Sequence, residues 1–199
     1  YADQAAVKNL TAENGKVIIL YAVWEGNVYT VKLDSQGAET AGTNAYYQKY
    51  NTSNYTSSDC SVPITSIAKP SKTGYTFAGW YKDSELAIAW DFNADTVTEP
   101  TTLYAKWTAN TNTPYVVNHW VQTLDAAING NAEKNETNYT LNEDENLTGT
   151  TDATFKANTK EIDGFKAPDK ENITIAADGS TVHNYYYTRN KYNIVINTD

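Results

Sequence analysis

One five-residue phrase is written twice in this chain of 199 residues, as Leu20-Tyr21-Ala22-Val23-Trp24 and, 83 residues later, as Leu103-Tyr104-Ala105-Lys106-Trp107. A recurrence at that spacing constrains the fold more than any local propensity does. It predicts similar modules following one another in tandem, each with a small core of its own. A module of about 80 residues buries only a thin core, and large aromatic side chains fill such a core well. The 16 Tyr, 5 Trp and 4 Phe supply them, and Trp24, Trp80, Trp90, Trp107 and Trp120 are read as core residues.

Strand signals dominate. Lys16 to Trp24 is apolar and β-branched and reads as a buried strand, and Val28 to Leu33 alternates with strand period before the turn formers Asp34-Ser35-Gln36-Gly37. Ala41 to Ser61 is rich in Tyr, Asn, Ser and Thr, with a short helix expected around Ala45 to Tyr50. Pro70 and Gly74 set a turn before the alternating Tyr75, Phe77 and Tyr81, and Gly79 beside Trp80 marks a bulge or a close backbone approach. Tyr115 to Leu124 and Tyr139 to Leu147 read as strands around a polar hairpin or loop, Asp125 to Asn138. Asn172 to Ala176 and Ser180 to Thr188 flank Ala177-Asp178-Gly179, a hairpin signal. Lys191 to Ile196 repeats the pattern of Val28 to Leu33. The domain plan is therefore the end of one module at 1–27, a module at 28–108, a linker at 109–114, a second module at 115–190, and the first strand of another at 191–199. No segment carries three turns of amphipathic helix, so the chain is α+β in class and mainly β.

The net charge of −9, with Lys and Arg scattered, argues against nucleic acid or an anionic membrane as partner. No apolar run approaches spanning length and no signal-peptide pattern is seen; a start at Tyr1 with no Met anywhere is expected of a piece of a longer precursor. Cys60 is the single cysteine, read as a small buried residue.

No constellation points to catalysis, a metal or a cofactor. His119 and His183 fall in strands of one module without a third ligand. Asn142 to Asn146 is acidic but lacks the glycine and spacing of a calcium loop, and reads as a solvated strand edge. Asp83 and Glu85 lie in turn-like sequence, with nothing to set them across a sugar bond. The sequons at Asn9, Asn51, Asn54, Asn135, Asn138, Asn146 and Asn172 are what a chain rich in Asn and Thr produces by chance. No Lys, Asn and acid triad stands out for an isopeptide crosslink. Tyr46, Tyr47, Tyr50 and Tyr55 are the candidate ligand contacts, because they sit in an irregular segment and pair a flat apolar ring with a polar hydroxyl.

Three stretches in order, Tyr29 to Asp34, Lys72 to Tyr81 and Leu103 to Trp107, resemble the Listeria–Bacteroides repeat, also called the internalin B-repeat. Residues 115–190 resemble a mucin-binding-protein-like (MucBP-like) module through Tyr115 to Trp120, Leu147 to Thr151, Gly164 to Pro168, and Ala177 to Val182 leading into Tyr185-Tyr186-Tyr187. The resemblances imply tandem small β-grasp (ubiquitin-like) modules in a secreted, cell-surface or cell-wall-attached protein of Gram-positive bacteria. They imply a non-catalytic stalk, monomeric within a longer array, with host glycan, mucin or a surface protein as possible weak partners. Ala41 to Ile67 departs from the repeat, being longer and richer in tyrosine, and Ala126 to Asn138 is a longer excursion in the second module.

Overall fold

The computed structural model describes residues 11–50 and 54–197. Two sheets follow one another along the chain, and each has its own core. The first contains β1 (Val28–Asp34), β2 (Ala45–Lys49), β3 (Asn54–Tyr55), β4 (Tyr75–Tyr81) and β5 (Thr101–Ala109), in the order β3-β2-β1-β5-β4. β1 pairs antiparallel with β2 and parallel with β5, and β5 pairs antiparallel with β4. Alternation decides which side chains go inside: Val31 and Leu33 from β1 and Leu103 and Ala105 from β5 point to one face, with Lys32 and Lys106 on the other. That face is closed by Tyr46 and Trp80 and by Trp90 and Val97 from the connection after β4. Each large aliphatic side chain fully buried there contributes about 1.5–3 kcal/mol relative to exposure.

The second sheet is built from β6 (Thr113–Gln122), β7 (Tyr139–Gly149), β9 (Phe165–Lys166) and β11 (Val182–Arg189), in the order β7-β6-β11-β9. Its plan matches the first. The opening strand pairs antiparallel with the next one and parallel with the last, and an antiparallel strand flanks the last. A separate ribbon, β8 (Thr154–Lys156) with β10 (Asn172–Thr174), brings Phe155 and Ile173 to the core formed by Tyr115, Val117, Tyr185 and Tyr187. The short helix α1 (Leu124–Ile128) is capped by Thr123, whose hydroxyl accepts the Ala126 N–H.

Several expectations are met: the Tyr115 and Tyr139 strands form, and the ladder shifts register between Phe77 and Gly79, where Gly79 takes φ +118. Others are corrected. Ala45–Lys49 is a strand, because pairing with β1 buries Tyr46 and Gln48 on one face while Tyr47 points to the other. The turn at Ala177–Gly179 forms, yet its flanking strands do not pair with each other. β10 joins β8 and β11 joins β6, which supplies β11 with six paired residues from Val182 to Tyr187. β5 runs to Ala109 and β6 starts at Thr113, so residues 110–112 lie between the two sheets. Lys16 to Trp24 and Lys191 to Ile196 carry strand sequence without a ladder, leaving Trp24 91 % exposed. Cys60 is only partly buried, in a left-handed turn at φ +56. The part of the 1–27 assignment at residues 1–10, together with Asn51 and the end of the chain at 198–199, lies outside the described residues.

The sheets meet through turns. The Gly74 carbonyl accepts the Asn110 N–H at 2.9 Å and the Thr151 hydroxyl at 2.8 Å. Thr151 is buried, shares a hydrogen bond with Thr113, and gives its N–H to the Asn110 carbonyl at 2.9 Å. The Tyr75 hydroxyl donates to the Asp152 carboxylate. Gly74, at φ +75, lies so close to Ala177 that a Cβ would come within 2.7 Å of the Ala177 carbonyl oxygen.

Candidate binding surface

The four candidate tyrosines do not form one surface. Tyr46 faces the core opposite Val31, is 0 % exposed, and packs against Phe92 with ring centroids 5.9 Å apart. Burial pushes its phenol well above the ordinary tyrosine value, and the nearby Trp90 indole offsets only part of that rise. Neither the Tyr46 hydroxyl nor the Trp90 N–H reaches a partner in good hydrogen-bond geometry. Tyr47, on the opposite face, is half-buried and lies directly across from Tyr55 on β3. Tyr50 lies beyond the end of β2, 45 % exposed, and lines an open cleft with Trp24, Glu25, Gly26, Asn27 and Tyr29. The structure therefore brings Tyr47 and Tyr55 together, sets Tyr50 apart, and removes Tyr46 from the surface. The same core takes Trp80 and Trp90, while Trp107 packs on it through Phe77.

The second sheet holds two clusters that residue-by-residue reading did not find. His119 is 0 % exposed and lies between the Tyr187 hydroxyl at Nδ1 (2.8 Å) and the Glu145 carboxylate at Nε2 (2.9 Å). Lys160 completes the set, with its Nζ at 3.0 Å from Glu145 and also on Glu143. The His119 hydrogen bond holds Glu145 below its ordinary pKa against the opposing cost of burial, and Lys160 adds to the lowering. The contact with Glu143 raises Lys160. Although phenol, imidazole and carboxylate in a row could relay a proton, Tyr187 is fully buried and its hydroxyl already accepts the Lys160 backbone N–H at 2.8 Å. The row ties β7, β6 and β11 together through hydrogen bonds. His183 lies two residues before Tyr185 on β11, and both histidine rings contact Tyr185. Among the described residues no group of three or more His, Cys, Asp or Glu is placed to hold a metal ion.

On the outer face Trp120 and Tyr186 are direct cross-strand partners, stacked with centroids 6.3 Å apart. Asn184 holds the indole by accepting its N–H at 3.1 Å, and the Tyr139 ring meets Tyr186 edge-on at 5.0 Å. The signal for both clusters was present as strand alternation: odd positions from Tyr115 to His119 point inward, and Trp120 is turned outward where the β6–β7 register shifts. Which residues would meet across strands depended on a parallel pairing that no local pattern specifies.

Among the described residues no helix is long and apolar enough to cross a membrane. A protein of Evansella cellulosilytica with the provisional name Gly-rich membrane protein is 40 % identical over 113 residues, covering 55 % of this chain and 12 % of its own length. A second protein of that organism, provisionally named a membrane protein, is 43 % identical over 93 residues, covering 47 % of this chain and 12 % of its own. The chain thus spans about an eighth of these relatives. No solved structure matches it. Residues 29–106, which hold all of the bulged strand of the first sheet and most of its opening and closing strands, match the Listeria-Bacteroides repeat domain.

Proposed function

We propose that this chain is a non-catalytic spacer from the repeat region of a bacterial cell-surface protein, built to resist pulling along its length. The observation that carries this reading is the strand arrangement common to both sheets. Tension enters the first sheet at β1 and leaves at β5, and these strands are parallel neighbours paired from Val31–Thr101 to Asp34–Tyr104. Pulling them apart loads the shared hydrogen bonds together in shear, so several must break at once. β6 and β11 repeat this geometry from Val116–Val182 to Val121–Tyr187. The central parallel pair and strand order suit a β-grasp plan in each module, with the second of MucBP-like type, although the only helix among the described residues is α1, five residues long. The match to the repeat domain and the membrane-protein names of the relatives support an extracellular, wall- or membrane-tethered setting.

A second reading, weak multivalent attachment to a host glycan, mucin or surface protein, draws on Tyr47, Tyr50 and Tyr55, which keep some surface. Repetition along an array would amplify weak contacts. Burial of Tyr46 in the core favours the spacer, since it removes one ring from the patch. The two readings are separated by measuring binding of the chain, as monomer and as artificial tetramer, to immobilised mucin and a broad glycan panel. The spacer reading expects no saturable binding in either form. Saturable tetramer binding that falls with Tyr47→Ala and Tyr55→Ala, fold intact, would replace it with the adhesive one.

A further inference from the structure

The phrase that closes the first sheet also stands ahead of it, and three residues after its Trp both copies carry asparagine: Asn110 after Trp107 and Asn27 after Trp24. The two carbonyls make equivalent contacts. Asn110 accepts the Thr151 N–H at 2.9 Å, and Asn27 accepts the Tyr50 N–H at 2.8 Å. Each donor lies just past the strand that pairs antiparallel with the opening strand of the following sheet, Thr151 after β7 and Tyr50 after β2. At Asn110 the joint is complete, because its N–H meets the Gly74 carbonyl of the Lys72–Tyr75 turn. At Asn27 the corresponding space is the open cleft lined by Trp24, Gly26, Tyr29 and Tyr50. Trp24 stands in solvent there, whereas Trp107 packs edge-on against Phe77 at 5.6 Å and donates its indole N–H to the Ser35 carbonyl.

We propose that this cleft is the receiving half of a second joint, and that its occupant is the Gly-Tyr turn of another copy of the repeat, the counterpart of Lys72–Tyr75. The glycine carbonyl of that turn takes the Asn27 N–H as Gly74 takes that of Asn110. The turn needs glycine for the reason Gly74 does: at φ +75, pressed against the next module, there is no space for a Cβ. Tyr50 lacks the short hydroxyl with which Thr151 adds a second bond, and lines the cleft with its larger side chain instead. A spacer jointed this way turns as one body rather than as beads on a string. This inference rests on the repeat-array reading.

The test joins residues 28–102 ahead of residue 20, so that Leu20 to Trp24 completes a full repeat, and compares this longer chain with the 199-residue chain. Trp24 shielding, read by acrylamide quenching against a Trp24→Phe control, reports whether the added repeat forms. Exchange of the Asn27 amide reports whether the joint forms. The expected result is a shielded Trp24 and Asn27 exchange slowed at least about tenfold. That protection should be lost, with Trp24 still shielded, on Gly→Val in the added turn, and reduced by Tyr50→Ala, a change of a surface residue outside the core. A shielded Trp24 with Asn27 exchanging as in the shorter chain would overturn the joint while leaving the array reading intact. An exposed Trp24 would overturn both.

Discussion

Tyr46 and Tyr47 are adjacent in sequence and nearly alike in composition-based expectation, yet the fold assigns them opposite roles. Tyr46 sits in the core with Val31, Trp80 and Phe92, and truncation to Ala removes a whole buried ring. Large aromatic-to-Ala changes in cores cost about 3–5 kcal/mol. A single module is stable by about 5–15 kcal/mol at most, so this loss removes a large share. With about 4–8 °C of melting temperature per kcal/mol in domains of this size, Tyr46→Ala should lower the first sheet's midpoint by about 12–40 °C. Tyr47→Ala removes only cross-strand contacts with Thr30 and Tyr55, which are worth about 0.2–1 kcal/mol per pair. Tyr46→Phe keeps the ring and deletes a hydroxyl with no hydrogen-bond partner, so it should be neutral or stabilising. Urea unfolding followed by tryptophan fluorescence and far-UV circular dichroism reads all three. Equal losses for Tyr46→Ala and Tyr47→Ala, or a Tyr46→Phe cost above about 2 kcal/mol, would refute the assignment of Tyr46 to the core and of its hydroxyl to an unpaired state.

Other residues give sharp expectations too. Gln48 is buried and its carbonyl accepts the Val97 N–H at 2.6 Å, so Gln48→Leu should cost about 1–3 kcal/mol in a urea titration by stranding that donor. Glu145 is held below its ordinary value in the folded state, so its contribution is fully present above the unfolded carboxylate pKa of about 4.3 and is lost as pH falls through the lower folded value. Acid titration of the native chain should therefore loosen the second sheet below that point, and Glu145→Gln should flatten the dependence. Gly79→Val should destabilise the first sheet by about 1–3 kcal/mol, because φ +118 at the bulge is closed to a β-branched residue, and thermal melting would register it.

Much of the architecture was legible because it depends on local alternation and on the repeated phrase. Val31 and Leu33 could be placed on one face from spacing alone, and Gly79 beside Trp80 announced its bulge. The strand at Ala45 to Lys49 has no strong local signal, because Ala-Tyr-Tyr-Gln-Lys has no β-branched residue, and its strand form is imposed by the ladder to β1. The hairpin expected around Ala177 failed for a similar reason: the turn chemistry is local, while β11 takes its partner β6 from more than sixty residues away. Trp24 shows the remaining limit. Its sequence is that of a closing strand, but a strand becomes buried only when a sheet is there to receive it.

The most direct test of the spacer account is to pull a single chain end to end. Shear loading predicts two separate high-force unfolding events. Residues 28–109 and 113–189 should release about 300 and 280 Å of contour at roughly 3.6 Å per residue. Proline substitution at Leu103, which removes a backbone donor from β5, the interior strand that pairs in parallel with β1, should abolish only the first event. Extension at low force without distinct events, or one event in which both sheets peel apart gradually, would contradict the account.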